Sequence, residues 1–339
     1  MLVAAPGAAQ LKSDEHAILF NTAAWFDEPK DTWRVPVHGW VFELESSVIR
    51  QGAVKKLLQS RYGVVVSPEN ETHFRDRLDY LLADDERGKL FRVNVASQDI
   101  ATSPSQANGH FEGETQFASA SFPPGKSPAW LTAQLLTGDS RQIIGKVRLI
   151  PPQGVSVISD IDDTVKITEV LDRARLVENS LVKPFTAVPG MAELYRNWEA
   201  RGAILHFLSA SPWQLYPALQ NFLREAGFPE AVLHLKSVRF TDATLFNLFE
   251  NNFEFKRAAI VALLERYPKH RVILVGDDGE QDPEVYAWAL KNYPEQIQRV
   301  YLRSVTGKPA NDARFQALFQ GVSSAKWRLF HDPAELEFL

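Results

Sequence analysis

The sequence contains no cysteine in 339 residues. That excludes thiol nucleophiles, cysteine-held zinc and disulfide bonds, and leaves the compartment open. No apolar run is long enough to cross a bilayer as a helix. A strong charge of one sign is missing too. The 37 Lys and Arg against 42 Asp and Glu leave a net −5, so no global field draws nucleic acid or anionic lipid to the chain. An anionic substrate must be gathered by local groups or a metal. Neither a Gly-x-Ser-x-Gly elbow nor a Gly-x-x-x-x-Gly-Lys phosphate loop occurs, which leaves serine-hydrolase and P-loop chemistry unsupported.

What is present is an ordinary globular composition, 45% apolar and 23% charged. The length exceeds one comfortable core, so two domains are expected. Residues 1–16 read as a disordered lead-in. The Ala-rich start lacks a basic residue and is broken by Pro6 and Gly7, unlike a signal peptide; a longer precursor, already trimmed, is the alternative. Residues 17–150 carry short β-type runs at 33–43, 90–96, 130–136 and 143–150. Helical patches fall near 52–59 and 71–85, the second with Phe74, Leu78, Leu81 and Leu82 at helical spacing. A β-sandwich-like domain with inserted helices is expected there.

Pro151-Pro152-Gln153-Gly154 marks the boundary. Within 151–339, strands at 155–159, 203–208, 231–235, 271–275 and 298–302 alternate with helices at 191–201, 213–225, 255–267 and 283–292. This alternation predicts a doubly wound, Rossmann-type parallel sheet with a small cap or none. Ligands of such sheets bind at the carboxyl ends of the strands.

Those strand ends hold one coherent set of groups. Asp160-Ile161-Asp162-Asp163-Thr164 follows the first strand and Ser209-Ala210-Ser211-Pro212 the second; Lys256 opens a helix, and Gly276-Asp277-Asp278-Gly279-Glu280-Gln281-Asp282 follows the fourth strand. The Asp160 carboxylate can attack phosphorus, forming an aspartyl phosphate. Asp162 can protonate the leaving alkoxide and then deprotonate water. An anion attacking an anion needs a divalent cation, and Mg2+ suits a site of Asp160, Asp277 and a backbone carbonyl. Ser209 can donate to a phosphate oxygen, and Lys256 can hold nucleophile and phosphate together.

These four motifs resemble those of the haloacid dehalogenase superfamily. The wording at 157–166, 207–213 and 276–282 resembles one branch more closely, the actin patch protein 1 type phosphatidate phosphatases, over residues 151–307. The β-rich first half is also similar to that family's companion domain. The resemblance implies that Asp160 is nucleophile and metal ligand, and that Asp162 is general acid and base and lends the metal its carbonyl. Thr164 would brace the turn. Ser209, Ala210, Lys256 and Lys166 would bind substrate. Asp277 would be the outer metal ligand, with Asp278 or Asp282 assisting; the family commonly has a small residue where Asp278 stands. The implied substrate is phosphatidate at a membrane surface, without nucleic acid, in a cytoplasmic or peripheral-membrane protein. A secreted or periplasmic form is the alternative.

Plainer readings stand beside these. Acids at strand ends also cap turns and helices, as Asp282 could before Pro283. Ser209 could simply be small, and Lys256 or its neighbour Arg257 a solvated helix residue. Lys166, Arg173, Arg175, Lys183, Lys236 and Arg239 could gather an acidic headgroup or be ordinary surface cations. The apolar 244–255 stretch could insert into a lipid interface or belong to the core. Three functions compete: phosphatidate phosphatase, phosphatase of a soluble phosphomonoester, and non-catalytic phosphatidate sensor. The presence of Asp162 favours catalysis.

Overall fold

A computed structural model of the chain describes residues 10–44, 47–125, 129–238 and 252–339. The chain divides into two compact units, the first formed by 1–46, 82–152 and 237–241, the second by 47–81, 153–236 and 242–339.

The first unit contains β1 (Glu15–Leu19), β2 (Thr22–Asp27), β3 (Thr32–Glu43), β4 (Asp84–Asp85), β5 (Arg92–Val95), β6 (Gln98–Ala101), β7 (His110–Ala118), β8 (Trp130–Leu135) and β9 (Ile143–Ile150). Where the sequence predicts a β-sandwich, the described strands form one connected sheet in the order β1-β3-β2-β9-β8-β5-β6, with β4 and β7 also paired to β3. Beyond β6 the Ser103 amide donates to the Glu112 carbonyl at 2.7 Å, and Gln98 Nε2 donates to Thr115 Oγ1 at 2.6 Å. The sheet's last strand therefore returns to β7. Alternation along β3 buries Trp33, Val35 and Val37, which share one core with Phe91, Phe111 and Leu131. Each such side chain contributes about 1.5–3 kcal/mol through burial.

The second unit includes the two helical patches, here α1 (Val48–Tyr62) and α2 (Glu71–Leu81), which the sequence placed in the first domain. Phe74, Leu78 and Leu81 do form a buried stripe on α2. That stripe belongs to the second unit, because α2 packs on a π-helical turn at Glu178–Val182 and a 3-10 turn at Trp213–Leu215. Periodicity reports that a face is buried, not what buries it.

The remaining elements are β10 (Gln153–Ser159), α3 (Arg173–Val177), α4 (Met191–Ala200), β11 (Ala203–Pro212), α5 (Tyr216–Glu225), β12 (Val232–Lys236), α6 (Phe253–Arg266), β13 (Lys269–Asp277), α7 (Asp282–Asn292), β14 (Ile297–Arg303), α8 (Ala313–Leu318) and β15 (Trp327–Phe330). Their six strands pair in parallel in the order β12-β11-β10-β13-β14-β15. The order reverses between β10 and β13, and the crevice at such a reversal is the binding position of doubly wound sheets. Asp160 follows β10 and Asp277 ends β13, so topology brings together carboxylates 117 residues apart.

Candidate active site

The backbone of Asp160 is still held by the sheet, its amide donating to the Val275 carbonyl at 2.8 Å. Below it, Tyr195 donates to Ser159 Oγ at 2.7 Å, and that hydroxyl donates to the Asp160 carbonyl at 2.7 Å. Lys256 reaches the same point from the first turn of α6. Its Nζ lies 2.8 Å from Asp160 Oδ1 and 2.5 Å from Asp282 Oδ1. Asp160, Asp277 and Asp282 each bring a carboxylate oxygen within 4.8 Å of the others, and all three are buried.

One cation among three buried carboxylates leaves charge uncompensated. Burial pushes the Asp160 carboxyl well above the usual carboxylate range, opposed by Lys256 and reinforced by Asp282. Burial does the same to Asp277. Asp160 Oδ2 and Asp277 Oδ2 are buried without a hydrogen-bond partner. Orphaned carboxylate oxygens in an all-oxygen donor set fit a hard divalent cation.

Asp162 faces the other way. Its Oδ1 lies 2.8 Å from Lys166 Nζ and accepts from Thr168 Oγ1 at 2.8 Å. Its Oδ2 accepts from Ser209 Oγ at 3.1 Å, and Ser209 Oγ accepts from the Ser211 amide at 3.0 Å. Burial raises this carboxyl, but Lys166 and the hydrogen bonds outweigh it, and the net shift is downward. Two acids two residues apart are thus pushed in opposite directions.

Asp160, Asp162, Ala210, Ser211 and Glu280 line a cleft, with Leu176, Leu181, Pro212 and Leu215 supplying its apolar lining. Burial raises the Glu280 carboxyl.

Several sequence expectations need correction. Asp278 is not with the metal-facing acids: its Oδ1 accepts from the Val305 and Thr306 amides at 2.7 and 2.9 Å, and its Oδ2 from Thr306 Oγ1 at 2.6 Å. It anchors the loop after β14, and Asp282 is the acid that turns inward. Lys166 is not a substrate-gathering cation: it is 2% exposed, and its Nζ is held by Asp162 and Thr168. Thr164 does not brace the turn through its hydroxyl, which is buried without a partner. Asp163 does that work. In the left-handed region at φ 50°, it accepts from the Thr168, Glu169 and Val170 amides at 2.8, 2.9 and 2.7 Å. Short acidic side chains tolerate that conformation and satisfy nearby amides, so the second acid of Asp162-Asp163 was a readable signal for this role. Lys183 pairs with Glu178 at 2.8 Å and Arg175 lies 3.9 Å from Glu169, so these two cations have acidic partners. Arg239 and most of the 244–255 stretch lie outside the described residues.

Two further residues shape the site. The α8 residue Arg314 donates to the Asp278 and Glu280 carbonyls at 2.7 and 2.6 Å while both its ends meet Glu284, clamping the acidic loop from behind. Gly276 leaves room for Asp282: a Cβ there would overlap the Asp282 carboxylate. No local pattern marks Arg314, because its partners come from other elements.

Residues 155–304 match the family of the phosphatidate phosphatase APP1 catalytic domain. An uncharacterised protein of Schizosaccharomyces pombe is 33% identical over 167 residues, 48% of this chain and 27% of that protein. Phosphatidate phosphatase APP1 of Saccharomyces cerevisiae is 29% identical over 171 residues, 48% of this chain and 29% of that protein. The chain thus spans under a third of the length of these curated relatives. Among solved structures, an apo phosphoserine phosphatase matches 44% of this chain and 86% of its own at 14% identity and TM-score 0.30. The class C acid phosphatase of Bacillus anthracis matches 42% of this chain and 65% of its own at 14% identity and TM-score 0.27. The APP1-type segment contains Asp160, Asp162, Ser209, Lys256, Asp277 and Asp282. Arg314 and α2 lie outside it.

Proposed function

We propose that this chain is a Mg2+-dependent phosphatidate phosphatase that releases diacylglycerol and phosphate through an aspartyl phosphate on Asp160. The observation that carries this reading is the orphaned, buried Asp160 Oδ2 at the floor of a cleft whose side is apolar. A nucleophile must keep one oxygen uncommitted, and an apolar wall suits a lipid leaving group.

Asp160, Asp277, Asp282 and the Asp162 carbonyl would hold the cation, which when bound neutralises charge between nucleophile and phosphate. In the first step an Asp160 oxygen bonds to phosphorus while the bond to the glycerol oxygen breaks. Asp162, ionised against Lys166 in the resting site, must first take up a proton, which it then delivers to that departing oxygen. The carboxylate left behind is the state that Lys166, Thr168 and Ser209 stabilise. In the second step Asp162 takes a proton from water as the water attacks phosphorus and frees Asp160. Lys256 keeps Asp160 oriented throughout.

The test is phosphate release from phosphatidate in mixed micelles, compared with a panel of soluble phosphomonoesters, with Mg2+ or EDTA. Release from phosphatidate should dominate, stop in EDTA and disappear in Asp160→Asn. Preference for the soluble panel would sink the lipid reading, and release that survives EDTA would sink the metal. Among the described residues no helix is long and apolar enough to cross a membrane.

A further inference from the structure

Helix α1 is poorly explained by packing. A 15-residue helix on a protein surface normally buries a stripe of three or four side chains per two turns, yet α1 buries Leu58 alone. Large apolar residues point outward instead. Val48 is 84% exposed, Ile49 85%, Leu57 37%, and Val65 just beyond the helix 62%. Exposed Ile49, Ala53 and Leu57 recur every fourth residue and therefore share one face.

The charge along this segment has a single sign. Residues 47–67 contain Arg50, Lys55, Lys56 and Arg61 and no acid, in a chain of net charge −5. Lys55 turns to Glu71 at 2.6 Å; Arg50, Lys56 and Arg61 are exposed, with Arg61 over the Tyr62 ring at 5.6 Å. Helix α3 packs on α1. Leu171 just before it is 60% exposed, Arg173 and Arg175 are exposed beside exposed Asp172, with Arg175 3.9 Å from Glu169, and Leu176 turns inward to line the cleft.

We propose that the outer face of α1, with the 171–175 turn, docks the protein on an anionic lipid surface. The apolar side chains would seat at the acyl boundary and the cations would meet headgroups. Two copies of the chain meeting through this same face would set these cations against their own kind. The docking deepens the phosphatidate reading, and its benefit to turnover rests on that reading, because a lipid substrate must be reached at its surface.

The test uses the full chain with vesicles of phosphatidylcholine, with and without phosphatidylserine, and no phosphatidate. Wild-type protein should co-sediment with the phosphatidylserine vesicles, less so as salt rises. The Ile49→Asp, Lys56→Glu double variant should bind them about tenfold more weakly or worse, while its hydrolysis of a soluble phosphomonoester stays within about twofold of wild type. A Leu171→Asp, Arg175→Glu variant should behave alike, so misfolding of one variant cannot imitate the result. Failure of the wild type to bind these vesicles, or unchanged binding by both variants, overturns the docking surface. Loss of vesicle binding in the variants of a protein that does not hydrolyse phosphatidate leaves the docking standing and the catalytic reading refuted.

Discussion

Lys256 Nζ stands 2.8 Å from Asp160 Oδ1, both side chains at most 2% exposed. The same ammonium touches Asp282 at 2.5 Å, so it is the counter-charge that lets these acids coexist. Lys256→Met would leave them buried and unpaired, which costs about 3–5 kcal/mol. Urea unfolding in EDTA should show that loss, alongside loss of phosphate release. An unchanged unfolding midpoint would show that the lysine is dispensable for the acid cluster.

Asp278 and Asp282 should separate by what they damage. Asp278→Ala removes the acceptors of the 305–306 loop and should cost about 1.5–3 kcal/mol, with the Mg2+ concentration for half-maximal activity nearly unchanged. Asp282→Asn should raise that concentration at least about tenfold, as loss of a ligand or its close support does. A metal titration of both variants decides, and the reverse pattern would restore Asp278 to the metal.

Gly276→Ala places a methyl group against the Asp282 carboxylate and 2.7 Å from the Tyr286 ring. Overpacking of this kind costs about 1–3 kcal/mol. A displacement near 1 Å at a reacting centre lowers the rate by about 100-fold. The expected signature is a large fall in kcat with a modest shift in Tm; full activity would mean that Asp282 can move without consequence.

Acid should weaken the fold through a pair remote in sequence from the cleft residues. His38 Nε2 and His110 Nδ1 lie 2.8 Å apart. Burial lowers His38 to about 3, helped by His110, and burial lowers His110 to about 4. Both folded values lie below the ordinary 6.5, so the unfolded chain binds more protons and stability falls as pH drops below about 6.5. At about 1.4 kcal/mol per unit, His110 alone would account for about 3 kcal/mol by pH 4. His110→Asn, polar but not titratable, should flatten the loss of urea stability between pH 7 and pH 5. Equal losses in variant and wild type would exclude the pair as the source.

The nucleophile was legible because its signal is local. A β-type run ending in Asp-x-Asp-x-Thr puts an acid at a strand end, and alternating strands and helices say that strand ends carry the ligand site. Which acids of 277–282 turn inward was less legible. Asp277, Asp278 and Asp282 are alike as residues, and pairing of β13 with β14 brings Asp278 beside the 305–306 loop, which takes up its oxygens. Lys166 read as a loop cation because sequence cannot show that Asp162 lies 2.8 Å away within a buried turn.

By itself, the sequence determined the residue types at the strand ends and the parallel character of the second sheet. These follow from periodicity and turn chemistry, which act over a few residues. Tertiary structure alone decided that 47–81 joins the second unit and which carboxylates share Lys256. Those outcomes depend on which distant elements meet, and neighbours in space are set by sheet order and packing.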